Sequence, residues 1–523
     1  MVQIKTSDNF DIGTIPIEKF IHSITGFDLV DALLFIQKVN AELKNYVHKK
    51  VFVLSPQVPN YLDKWFLITT EANAFIAKYL INFSSEINYK KYDAHCHSKS
   101  IIYCHHLETD LNYLNSNDQD AYKWSIRAMN QQFHYLRLPN HIMGRYLILL
   151  DKIRGGQENI VNQMSIESFG VTPQDIMIIG TCIYALVLQN KIFNLNNLIN
   201  HTIDSPIIKE VLTADKIDNF LNIFSIDVEG FRNEFIKWKS PNLIYPLYKY
   251  EFNPLWPYPI IRTKRVLEPD KKYIIPSLVD LVYACSEGIY YKLMDRFRGK
   301  GKINKFSEKF GEVFQDYIEL LLKEANIGFE KCDAKLKNKP RPDFLIKENN
   351  KVIQIEVKKR VMSNDAKACV GNKLDEYIDK LVDDIYRQLF KPSQQYSGCI
   401  VHNLIVALDE WYYFEEKIKF IIEDKLKKKA AENGLNISGF KFHLLGCTGF
   451  EILYEFIKEK KDPNIFEILR EKEKPQHYFK GLPELLIEKY NYQPSSISFI
   501  DSEFNNLFGL ILGKSINDAQ YMQ

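Results

Sequence analysis

The 523-residue chain is about three times the usual size of a single domain, which points to two or three domains. Hydrophobic residues make up 46%, enough to build packed cores, and this excludes a disordered chain. A formal net charge of +2 supplies no global field toward nucleic acid, so any polyanion site must be a local patch.

Residues 1 to about 240 read mostly as helices. Phe27 to Leu43, Thr70 to Phe83 and Ala121 to Leu136 carry apolar residues at three- and four-residue spacing. Thr172-Pro173-Gln174-Asp175 has the form of an N-cap with proline at the first helical position, opening a helix to Leu188. The apolar run Ile176 to Leu188 falls short of the roughly 20 residues a membrane span needs. The first ten residues lack a basic-then-apolar leader pattern. The eight cysteines form no CxxC pair, which favours reduced thiols. These features predict a soluble cytoplasmic protein with no membrane partner. Asp93-Ala-His-Cys-His97 has the form of a metal-enzyme motif, but helical pattern precedes it, and a polar loop is the expected reading.

Five prolines fall between 241 and 259, interleaved with Tyr245, Tyr248, Tyr250, Trp256 and Tyr258. Proline stops helices and removes donors, so this stretch reads as an ordered connector that packs its aromatics. It leads to a helix from about Pro276 to Phe297, and the connector and helix together occupy 241–299. Arg298-Gly-Lys-Gly-Lys302 marks the preferred domain boundary, with a C-terminal domain at 300–523. Beyond it a helix is predicted from Ser307 to Ala325, then strands near 328–333, 342–347 and 352–358. A helix at 373–391, a strand at 399–408, a helix at 414–433, a strand at 440–446 and a helix at 449–460 follow. The expected fold class is therefore a mostly helical N-terminal half followed by an α/β domain with a mixed sheet flanked by helices.

The strongest local signal runs from Arg341 to Lys359. Asn349-Asn350 is a two-residue turn that tolerates positive φ. Paired residue numbers then sum to 699, so that Ile346 faces Ile353 and Phe344 faces Ile355 on one apolar side. On the other side Asp343 stands opposite Glu356, with Lys358 two residues further along. Directly opposed side chains have Cβ atoms roughly 4.5–5.5 Å apart. Two carboxylates held that close repel, and a hard divalent cation such as Mg²⁺ or Mn²⁺ relieves the conflict. The competing reading is a solvent-exposed hairpin with ordinary polar residues on its wet face.

Pro342-Asp343 followed by Glu356-Val357-Lys358 resembles the PD-(D/E)xK nuclease superfamily, and the resemblance covers roughly residues 300 to 460. It implies a restriction-endonuclease-like fold and phosphodiester hydrolysis, with DNA favoured over RNA. It also implies metal ligation by Asp343, Glu356 and the backbone carbonyl of Val357, with Lys358 orienting the attacking water. The family often places a glutamate on the preceding helix, and that position falls on Gln315 here. Either Glu312, one turn earlier, supplies the carboxylate, or it is a solvated helix charge. Gln388, in Tyr386-Arg-Gln-Leu-Phe390, matches a glutamine that many family members carry on the helix after the ExK strand. From Arg296 to Arg360 there are 17 Lys and Arg against 10 Asp and Glu. Lys335, Lys337, Lys339 and Arg341 before the hairpin, and Lys359 and Arg360 after it, form the candidate nucleic-acid-binding patch.

Two functions follow as expectations: a nuclease, resembling prokaryotic host-defence enzymes in architecture, or an inactive nucleic-acid-binding module that keeps the fold. The helical half is expected to recognise a substrate, a regulatory protein partner or a second copy of the chain.

Overall fold

The computed structural model describes residues 15–45, 69–105, 139–152, 160–189, 206–238, 252–298, 304–332, 341–359, 361–408, 415–492 and 497–512, together with 107 and 198 and apart from short gaps at 89, 266–267, 269–271, 368–370 and 461–462. The helix expected at Ala121 to Leu136, the connector from 241 to 251 and the 299–302 break lie outside these residues. The chain is mostly helical, with a mixed five-stranded sheet in its C-terminal half. Among the described residues no single helix is long and apolar enough to cross a membrane.

The N-terminal half contains α1 (Leu29–Asn45), α2 (Thr70–Phe83), α3 (Ala94–His105), α4 (Pro139–Leu147) and α5 (Pro173–Leu188). Thr172 caps α5 in a reciprocal capping box with Asp175, which satisfies two of the first-turn donors. The Asp93–His97 segment is the start of α3 and not a loop: Asp93 accepts the Cys96 N–H at 2.9 Å and so caps the helix. His97 turns inward against Phe35 and Tyr92, while His95, two positions away and hence on the opposite side of the helix, is exposed. The two imidazoles therefore do not converge. A small sheet joins β1 (Ser225–Asp227), β2 (Ile260–Arg262) and β3 (Tyr273–Ile274). Just before β2, the connector buries Trp256 against Phe252 and Tyr283.

The helix expected over Pro276 to Phe297 is two helices, Leu278–Ala284 and Glu287–Arg296. At the break the Ser286 hydroxyl donates to the Val282 carbonyl at 2.6 Å, competing with the helical ladder.

Next comes α6 (Lys305–Glu324), capped by the Asn304 side chain, which accepts the Ser307 N–H. Then follow β4 (Glu330–Lys331), β5 (Phe344–Glu348), β6 (Lys351–Lys358), α7 (Lys373–Ile385), β7 (Ile400–Ala407), α8 (Glu415–Glu432), β8 (His443–Gly446), α9 (Cys447–Lys460) and, near the C-terminus, α10 (Ser498–Leu512). The sheet order is β4-β5-β6-β7-β8, antiparallel through β6 and parallel from β6 to β8. Ile353 and Ile355 of β6 face Phe310 and Phe314 of α6 in one core. Ile378, Leu381 and Ile385 of α7 cover the opposite face with Ile405 and Leu444.

The first of these cores does not stop at residue 300: it runs from Ile142 of α4 through Phe224, Phe310 and Leu445 to Leu507 of α10. α4 and α10 lie so close that a Cβ on Gly144 would come within 2.4 Å of the Ile500 carbonyl oxygen. Glycine is the residue that permits this approach.

Candidate active site

The β5–β6 hairpin has the register its pattern predicts: Phe344 pairs with Ile355 and Ile346 with Ile353, and Asn349 takes φ +50° at the turn. Continuing the pairing by one position brings Asp343 level with Glu356. The polar side of this hairpin is not wet. α7 and the turn Tyr386–Phe390 that continues it lie over β6, leaving Glu356 only 4% exposed and Gln354 fully buried. Gln354 Nε2 donates to Asn403 at 2.8 Å, while its Oε1 is buried with no hydrogen-bond partner. A solvent-exposed hairpin is thereby excluded.

Both Asp343 oxygens have donors. Oδ2 accepts the Val357 N–H at 2.7 Å and Oδ1 accepts the Gln315 amide at 3.0 Å. It is thus the Val357 N–H, and not the carbonyl of the same residue that the resemblance invokes, that touches Asp343. Burial raises the Asp343 pKa, and the Val357 N–H and Lys358 only partly oppose it. Gln315 is the residue of α6 that reaches this carboxylate. Glu312 instead forms a half-exposed pair with Lys309 at 3.3 Å.

Glu356 is pushed up to about 8, first by burial and then by the charge of Asp343, with Lys358 opposing. Its Oε1 lies 2.6 Å from Lys358 Nζ, and its Oε2 is buried with no hydrogen-bond partner. Burial alone would lower the Lys358 pKa, but Glu356 and Asp384 outweigh it and the net shift is upward. Asp384 Oδ2 stands 3.6 Å from the same ammonium. Sequence reading missed Asp384. The available signal was its spacing of four residues before Gln388, which puts both on one helical face. Gln388 lies on the Tyr386–Phe390 turn, which is wound as a π-helix and packs against β6. Its Oε1 is also buried without a hydrogen-bond donor.

The basic patch is thinner than the residue count implies. Lys331 pairs with Asp316 and Glu319, and Lys347 with Glu330. Lys359 extends across Gly311, where a Cβ would meet its Cδ at 2.7 Å, and its ammonium donates to the Ser307 carbonyl. It fastens α6 to the end of β6, so its ammonium is engaged by the protein and not offered outward as a phosphate ligand would be. Arg341 is exposed beside the hairpin. Lys335, Lys337, Lys339 and Arg360 lie outside the described residues.

Among the described residues no group of three His, Cys, Asp or Glu is arranged to hold a metal ion. Asp343 and Glu356 are the donor pair available at this site. Two mutually repelling carboxylates, one of them buried with an oxygen that lacks any donor, suit a hard divalent cation that takes oxygen ligands and completes its shell with water. No protein-family model, curated protein or solved structure matches the chain.

Proposed function

We propose that the chain is a metal-dependent nuclease of the PD-(D/E)xK type, hydrolysing phosphodiester bonds of nucleic acid, DNA in preference to RNA. The observation that carries this reading is that Glu356 is buried beneath α7 and interacts there with Asp343 and Lys358, both only partly exposed. Taking such groups out of water costs several kcal/mol per ion, and carboxylates set against each other with shifted pKa values cluster at functional sites.

In this reading Asp343, Glu356 and the Val357 carbonyl hold Mg²⁺ or Mn²⁺. When bound, the cation would neutralise charge on the scissile phosphate and acidify a coordinated water. The Val357 N–H and the Gln315 amide fix the Asp343 carboxylate in place. The Lys358 ammonium donates hydrogen bonds to the attacking water and to a phosphate oxygen as charge builds there. Water adds to phosphorus, the bond to the 3′ oxygen breaks and the leaving oxygen takes a proton, giving a 5′-phosphate and a 3′-hydroxyl. The covering layer of α7 keeps bulk water from screening these charges. The helical half supplies recognition or control.

A second reading, a binding module without activity, is favoured by one observation: a neutral Gln315 caps Asp343 where the family carries glutamate. Incubating the full chain with plasmid, linear duplex, single-stranded DNA and RNA, with Mg²⁺ or Mn²⁺ and with EDTA, separates the two. Cleavage that requires metal supports the nuclease. Tight binding with no cleavage in any metal supports the module, and undiminished cleavage in excess EDTA rejects the metal site altogether.

A further inference from the structure

We propose that Asp384 is a positioning residue that takes over the Lys358 ammonium when a divalent cation occupies Glu356. The inference rests on the nuclease reading of this site. Lys358 Nζ sits between two carboxylates on different elements, 2.6 Å from Glu356 Oε1 on its own strand and 3.6 Å from Asp384 Oδ2 on α7. Both acids are buried. A cation on the open Oε2 of Glu356 would place a second positive charge beside the Lys358 ammonium on Oε1, and in this low-dielectric layer the two like charges repel and drive the lysine off the carboxylate. Displacing Lys358 into a low-dielectric layer with no counter-ion is strongly unfavourable.

Asp384 removes that cost. A movement of about 1 Å closes the gap to the roughly 2.8 Å of a charge-assisted hydrogen bond. Its other oxygen, Oδ1, accepts from Arg387 Nη2 at 3.3 Å, so the carboxylate is oriented from the far side with Oδ2 turned toward the lysine. The exchange keeps the ammonium beside the hairpin, where a phosphate would lie. Without cation, the Lys358 ammonium rests on Glu356 Oε1. Asp384 is placed on the helix that covers the sheet, and not on the hairpin, so it can receive the lysine without itself competing for the position between Asp343 and Glu356.

The test is Mn²⁺ affinity of the full-length metal-free protein, by titration calorimetry or electron paramagnetic resonance, for wild type, Asp384→Asn, Lys358→Met and the double variant. Asp384→Asn should weaken Mn²⁺ roughly tenfold, the size of coupling expected between side chains in contact. In the Lys358→Met background most of that effect should vanish, because no ammonium needs rehousing. Asp384→Glu should restore part of the affinity, and circular dichroism should show all variants folded. Equal weakening in both backgrounds would mean that Asp384 acts on the cation directly, and no weakening in either would mean that it only supports α7; each overturns the proposal while leaving the nuclease reading intact. Failure of the wild type to bind Mn²⁺ would overturn both.

Discussion

Arg145 and Glu451, 306 residues apart, form a two-point buried ion pair, Nη2 to Oε2 at 2.6 Å and Nε to Oε1 at 2.7 Å. Tyr317 of α6 donates to the same carboxylate at 2.6 Å, and His141 Nε2 lies 2.8 Å from it. Burial alone would raise the Glu451 carboxyl, but Arg145 and His141 hold it at about 2. This knot joins α4 of the helical half to α9 and to the helix that carries Gln315.

Arg145→Met should therefore destabilise the whole chain by about 3–5 kcal/mol, the usual cost of stranding a buried charge. Urea unfolding followed by tryptophan fluorescence measures it. One cooperative transition at lower urea is expected. Residues 300–523 alone should fail to fold, because they lack α4 and its share of the core. A change under about 1 kcal/mol, or a compact fragment with native circular dichroism, would show that the two halves are independent.

Glu356 gives a pH signature. Its folded pKa of about 8 lies above the ordinary 4.5, so between those values the native state holds a proton that the unfolded chain has released. Stability of the metal-free protein should fall as pH rises through that window. Glu356→Gln should flatten the fall and raise stability at pH 8. Thermal melts in EDTA from pH 5 to pH 9 test this, and parallel curves for the two proteins would reject it.

Lys358→Ala should reduce cleavage by at least ~100-fold, the scale of a lost proton-transfer or charge-stabilising group. Nucleic-acid affinity, measured in Ca²⁺ to block turnover, should change little, because one lysine is a small part of a backbone-binding surface. Near-normal cleavage would show that the reacting centre lies elsewhere.

The two candidate groups on α6 are now ranked by contact. Gln315→Ala removes a donor from Asp343 and should slow cleavage by roughly tenfold. Glu312→Gln weakens a half-exposed pair with Lys309, away from Asp343, and should fall within about twofold of wild type. The reverse order would mean that α6 rotates when substrate binds.

The hairpin was legible because its information is local. A turn that accepts positive φ and a strict two-residue alternation leave one register, and Phe344, Ile346, Ile353 and Ile355 follow from it. The burial of Glu356 was not legible. What covers a strand depends on a helix more than 15 residues away, and Asp384 looks in sequence like any solvated helix charge. The choice between Glu312 and Gln315 turns on the rotation of α6, which is set where Lys359 crosses Gly311. The break near residue 300 reads as a boundary from its glycines and lysines, yet the core crosses it through Leu149, Phe224 and Phe306. Tertiary contacts of that range leave no local trace.

The two margins of the large sheet are closed by different means. β4 at one margin is two residues long, Glu330 and Lys331, both charged and exposed. β8 at the other is buried at all four positions, with α8 and α9 against it. A short charged edge is a poor template for an incoming strand, and helices packed against an edge strand hinder its approach. Among the described residues, neither margin of this sheet is a good template for a strand from a second molecule, so runaway strand addition is disfavoured at both of its ends.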